Sequence, residues 1–325
     1  MNELLKSGYV CHPQQLYTLR RMTVSEGKAR GTQIIEVCTA EGLQVDILPD
    51  AGLDIGQVRY KGVNVAFISK NGYDSPAAIM PYESEFLHTF PGGLLYTSGL
   101  RNTGRANRDG EEWHPFHGRY HSLCAEQVSM TVEDNTVIIR GIMRETALFG
   151  SCLELVRTIR IPVFGAEIQV SDRLTNLTHS DQEYAILYHC NYGYPLISEK
   201  AHVELPEDRK TTARSEHARA FLGKETTFDA PCPGEAERVF YHENMVHTAA
   251  LVNESLGIRA EMTWSETLPV LAHWRSMASG DYACGFEPTN TYIMGRKWER
   301  ENGTLRVLKP FESMDTEVTF SFTSI

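Results

Sequence analysis

The chain has 325 residues, 42% of them hydrophobic and 22% charged, and its 42 Asp+Glu against 31 Lys+Arg leave a formal net charge of −11. This is the composition of a globular chain able to bury a sizeable core, and it excludes the disordered and fibrous classes. The acid excess speaks against a nucleic-acid-binding face, which needs concentrated positive charge, and leaves a small polar ligand as the expected partner.

The chain opens with MNELLKSGYVCHPQQ, which lacks the apolar core of a secretory signal, and no 18-residue apolar run follows it anywhere. A cytoplasmic protein without a membrane partner is expected. Seven cysteines, an odd number without C-x-x-C spacing, suggest neither a disulfide framework nor a zinc ribbon, and most are expected to be small buried hydrophobes. Asn176, Asn253 and Asn302 stand in N-x-S/T triplets, which carry meaning only in a secreted protein and are read as chance.

From Pro76 to Cys124 the chain is irregular and dense in Gly, Pro, Arg, His and aromatic residues, which marks functional loops. Within it, GGLLYTSGLRNTG sets Arg101 and Asn102 among glycines that let backbone turn tightly and a ligand approach. The fixed fork of an arginine suits a vicinal diol or an oxyanion, although a surface arginine would look the same. FHGRYH follows, with His117 and His121 four residues apart; a metal pair is weighed against two structural histidines, and the absence of a third ligand at recognisable spacing favours the second.

QVSMTVEDNTVIIRGIM alternates through Val128, Met130 and Val132, turns at Asp134-Asn135 and returns through Val137 and Ile139, which predicts an antiparallel hairpin. A second hairpin is predicted from Ile159, Ile161 and Val163, across a Phe164-Gly165 turn, to Ile168 and Val170. ILYHCNYGYPLI then places His189 in an apolar strand, where it is either a core histidine or, in the right company, an acid–base group. The only helix candidate is short, TTARSEHARAFLG over 211–223, and DAPCPGEAE near Asp229 reads as a surface loop. HWRSMASGDY offers Trp274, either a flat platform for the C–H face of a sugar or a core side chain. ACGFEPTN puts Glu287 between an apolar run and a turn, and EVTFSFTSI closes the chain as a last strand. Many strands, few helices and no repeat or linker predict an all-β sandwich or barrel over 1–325 as a single domain.

DAGLDIG (residues 50–56), GGLLYTSGLRNTG, HGRYH and GFEPTN, in this order and over roughly residues 45–300, resemble a divergent branch of the galactose mutarotase-like superfamily, the aldose 1-epimerases and their relatives. The resemblance implies a large antiparallel β-supersandwich and a cofactor-free enzyme that interconverts sugar anomers. It also implies Arg101 and His117 as sugar-binding residues, His189 as general acid and Glu287 as general base; Asn102, Arg119 and Trp274 are expected, from their own chemistry and place in the chain, to be further substrate-binding residues. Arg119 stands where the better-known mutarotases have glycine, and together with Arg101 it suggests an acidic or modified sugar. The family's aspartate between acid and base has no clear match; Asp229 falls in the right interval without the motif. A small-molecule sugar is thus the expected partner and no metal is expected, while a homodimer is compatible with the chain. A non-catalytic sugar sensor and a metal-assisted sugar isomerase remain the alternatives.

Overall fold

The computed structural model describes residues 2–75 and 79–325; residues 76–78, with which the irregular segment begins, lie outside the described residues. Among the described residues, antiparallel strands dominate and the four helices are short, so the all-β expectation holds. Strands between Thr18 and Asn64 form a five-stranded sheet, and the rest fall mainly into an eight-stranded and a seven-stranded sheet. No helix of the described residues is long and apolar enough to cross a membrane.

Local chemistry accounts for the sheets. Glu126–Glu133 pairs with Thr136–Thr146, Met130 opposite Ile139 and Val132 opposite Val137. The intervening Asp134 and Asn135 have φ of 47° and 61°, the backbone that a two-residue type I′ hairpin turn requires. In the second hairpin Ile159 sits opposite Val170, and the closing strand Ser313–Ser324 adds beside Glu167–Asn176. Ile159, Val170 and Phe320 of the eight-stranded sheet share one apolar cluster with Tyr188, Cys190 and Phe286 of the seven-stranded sheet. Each such side chain contributes about 1.5–3 kcal/mol through burial.

A charged knot crosses this core. Arg157 is fully buried and grips Asp172 through two hydrogen bonds of 2.9 and 2.7 Å, while its third nitrogen reaches Asp54 at 2.6 Å. Asp54 also accepts from the Thr97 amide and hydroxyl, and the Tyr188 hydroxyl donates to Asp172. The aspartate inside DAGLDIG is therefore a structural tie between the five-stranded sheet and the two larger ones.

Some expectations need correction. The segment read as a helix begins as a strand, Lys210–Ala213, and only Glu216–Arg219 is helical, capped by the Ser215 hydroxyl accepting from the Ala218 amide. The irregular segment contains the buried strand Tyr96–Leu100, paired with Gln182–Gly193. All seven cysteines are free, yet only Cys190 and Cys284 are buried, and Cys11, Cys124 and Cys232 are exposed. Asn176 and Asn253 are buried and hydrogen-bonded to backbone carbonyls, consistent with chance triplets.

Candidate active site

The seven-stranded sheet has two faces, and strict alternation sorts its side chains between them. On Gln182–Gly193, Tyr188, Cys190 and Tyr192 enter the core, so His189 faces the other way. On Ala283–Thr289, Phe286 and Cys284 enter the core and Glu287 faces away, as Trp274 does on Val270–Ser276. The register is set by Cys190 opposite Phe286 and Leu187 opposite Thr289, which seats His189 directly across from Glu287. The outer neighbour of Glu287 is the small Ala272, and the inner neighbour of Trp274 is Gly285.

These side chains line a cavity of about 330 Å³, within the range of small-molecule sites. His189 Nε2 lies 3.2 Å from Glu287 Oε1. Glu287 Oε1 and His189 Nδ1 nevertheless find no hydrogen-bond partner, although both are buried. Such buried polar atoms are costly unless a ligand or water completes them, so they mark where the cavity can take up a polar group. Burial pushes the Glu287 carboxyl up to about 8, with Arg214 opposing and Glu237 adding to the rise. Burial likewise pushes the His189 imidazole down to about 4. The two shifts run in opposite directions, and both favour the uncharged form of the group, as burial of an ionisable side chain does.

His117 completes the polar centre. Its ring lies 5.6 Å from that of His189 and 4.8 Å from Phe86, and burial, then the neighbouring His189, holds its pKa well below the ordinary value. The Gly104 amide donates to His117 Nδ1 at 3.3 Å, so the neutral ring carries its hydrogen on Nε2 as a donor. Phe67, Phe86, Phe90 and Trp274 supply aromatic wall, the Trp274 ring meeting His189 edge-on at 5.4 Å. Aromatic faces beside a few converging polar groups suit a sugar ring, which has apolar C–H faces and a polar hydroxyl rim.

Of the residues singled out in the sequence, His117, His189, Trp274 and Glu287 thus share one cavity. Arg101, Asn102 and Arg119 do not line it. Arg101 is held by Glu112 and Gln182 in a separate surface depression. The Asn102 side chain is spent on its neighbours, donating to the Arg105 and Pro115 carbonyls and accepting from the Arg296 backbone amide and the Asn107 side-chain amide. Arg119 donates to the Trp113 carbonyl. The glycine-rich motif instead acts as a brace: Asn102 and Thr103 hold 291–296, and Gly104 packs on Ile293, itself a cavity residue. His121 stacks on Tyr96 outside the cavity lining, and the described residues contain no group of three His, Cys, Asp or Glu arranged to hold a metal ion. Asp229 pairs with Arg238 and is likewise absent from the lining.

Sequence reasoning missed two ion pairs in the cavity. Arg214 pairs with Glu237, the last residue of the loop dismissed as surface, and Lys70 pairs with Asp281 at 2.7 Å. Glu237 also accepts from the Trp274 indole at 2.9 Å, which fixes that ring. The local sequence carried no signal for Arg214: Lys-Thr-Thr-Ala before it shows no apolar alternation, and the residues after it are helix-forming.

Residues 29–322 match the family described as a domain of unknown function (DUF4432). No curated protein matches the chain. Among solved structures, a candidate aldose 1-epimerase from Klebsiella pneumoniae superposes with a TM-score of 0.87 at 22% identity, covering 94% of this chain and 83% of that one. A galactose mutarotase-like protein from Clostridium acetobutylicum gives 0.68 at 14% identity over 96% and 100% of the two chains. A galactose 1-epimerase from Lactobacillus acidophilus gives 0.64 at 13% identity over 94% and 99%. The fold is therefore the galactose mutarotase-like β-supersandwich.

Proposed function

The chain belongs to the DUF4432 family, and from that premise, its galactose mutarotase-like fold and its cavity we propose that it interconverts the anomers of a small sugar by acid–base catalysis, with His189 and Glu287 as the catalytic pair. The observation that carries this reading is the facing of a buried imidazole and a buried carboxyl, 3.2 Å apart and each with an unpartnered atom, at one cavity. The names borne by the structural neighbours support the same reaction class.

The chemistry asks for such a pair. Ring opening takes the O1 proton to a base, its electron pair forms the C1=O1 bond, the C1–O5 bond breaks, and O5 takes a proton from an acid. Rotation about C1–C2 and the reverse sequence close the other anomer. The pair gives one proton and takes one, so its inventory is unchanged over a turnover. The resemblance to the aldose 1-epimerases implies His189 as the acid and Glu287 as the base; burial favours the protonated carboxyl and the neutral imidazole, and proton transfer across the 3.2 Å contact converts that arrangement into the one the reaction needs. His117 donates from Nε2 to a hydroxyl, and Trp274 packs against the C–H face of the ring. The expectation of an anionic sugar rested on Arg101 and Arg119, which lie outside the lining. The cations that do line the cavity, Lys70 and Arg214, each face a carboxylate, so the reading proposed is a neutral sugar.

Anomer exchange followed by NMR for a panel of neutral aldoses, with and without protein, tests the proposal. Acceleration of at least one sugar is expected, and Glu287→Gln and His189→Ala should each lower the catalysed rate by about 10²–10⁴-fold. A panel that shows no acceleration by the native protein, with sugars still raising its thermal midpoint, would replace the enzyme by a sugar-binding protein.

A further inference from the structure

Between the central histidine and the late glutamate the chain places a cation, Arg214, in the cavity. Its backbone amide donates to the Val239 carbonyl at 2.9 Å, which carries the pairing of Lys210–Ala213 with Arg238–Glu243 one residue further. Its side chain, one quarter exposed, reaches Glu237, and the other carboxylate oxygen of Glu237 holds the Trp274 indole. One carboxylate therefore fixes both the guanidinium and the aromatic platform, and the guanidinium keeps further N–H groups for a ligand.

We propose that Arg214, clamped by Glu237, is a positioning residue of this site: it orients the hydroxyls of a neutral sugar lying on Trp274 and biases the His189–Glu287 pair through its charge. The inference rests on the anomerase reading above for its kinetic part. Its electrostatic part stands on the shared cavity and on the groups that face Glu287. His189 faces it from the neighbouring strand, and Tyr241, Glu237 and Arg214 act on or beside it from the outer strands. Lys70 and Asp281 neutralise each other elsewhere in the lining, and His117 is held neutral. Cys190 and Cys284 lie on the opposite, core face with their thiols pushed up by burial, so they stay uncharged. Arg214 is then the cation that lowers Glu287, while Glu237 raises it.

The two partners must therefore act with opposite sign. An anomerase that needs one proton on the pair loses rate when that proton leaves, on the alkaline side of its pH profile. Removing the cation in Arg214→Met favours the protonated carboxyl and moves this limb to higher pH; removing the anion in Glu237→Gln moves it to lower pH, each by about one unit or more. Arg214→Met should also raise KM about tenfold or more through the lost fork of donors, whereas Arg214→Lys keeps the charge, restoring the limb but not KM. Profiles of kcat and kcat/KM for a sugar accepted by the native protein measure both effects. A carbon-13 NMR titration of the Glu287 carboxyl in the native protein, Arg214→Met and Glu237→Gln reads the electrostatic half without any turnover. Opposite displacements of the Glu287 midpoint support the inference even if the native protein exchanges no anomers, a result that would overturn the enzyme reading alone. Midpoints that coincide with the native one, or move in the same direction, would overturn the inference; should Arg214→Met fail to fold, Arg214→Lys and Glu237→Gln decide it.

Discussion

Gly285 shows how closely the cavity floor around Glu287 is drawn. A Cβ at this position would lie 2.8 Å from Glu287 Oε1 and within 3.3 Å of Trp274 atoms. Both neighbours belong to the proposed site, so Gly285→Ala strikes function before stability. The expected outcome is a fall in the anomer-exchange rate of about tenfold or more, since small misplacements of reacting groups are costly. A thermal midpoint measured on the same sample should move little, because the backbone at 285 is not in the left-handed region and the side chains that must give way border a cavity. Equal losses of activity and of folding would contradict this account of the glycine.

At the scale of elements, the loops that carry no catalytic group still build the site. Gly104 has φ of 74° and a Cβ there would meet the Ile293 carbonyl oxygen at 1.8 Å, while its amide orients His117. Gly104→Ala is expected to cost about 3 kcal/mol or more by combining strain at a special φ with overpacking, read from urea denaturation. This brace explains what was legible in the sequence and what was not. Alternation is a local property, so the hairpins around Asp134-Asn135 and Phe164-Gly165, and the strand EVTFSFTSI, could be read directly from spacing. His189 and Glu287 were legible because their motifs resemble a known pattern, and the period of two then put both on one face. Arg101 and Asn102 looked like ligand groups because glycine-flanked polar residues serve close approach to a substrate and close approach to another loop equally well. Arg214 and Glu237 stayed hidden because their roles arise from pairing across strands, between a segment with helix-like composition and a proline-rich loop, and no local rule reports that.

Over the whole molecule, the buried ion cluster of Arg157 ties three sheets. It contacts Asp54 and the Gly52 carbonyl in the first third of the chain, Thr97 next to the site loops, and Asp172 in the eight-stranded sheet. Arg157→Met would leave two buried carboxylates without their cation, and breaking a buried pair in this way costs about 3–5 kcal/mol. The loss should appear as a lower midpoint in urea with an unchanged slope, because the large apolar cluster shared by the sheets still unfolds as one unit. A change confined to activity would show that the cluster serves the cavity rather than the assembly of the sheets.

The proposed acid–base couple is spaced by a hydrogen-bonded ladder rather than by any loop, for its two members are opposite rungs on adjacent strands nearly a hundred residues apart in the chain. Insertions or deletions in the intervening connections can therefore reshape the rim and change which molecules are admitted, with the distance between imidazole and carboxyl left untouched. A slip of one residue between those two strands, by contrast, would turn one partner into the interior and abolish the chemistry at a stroke.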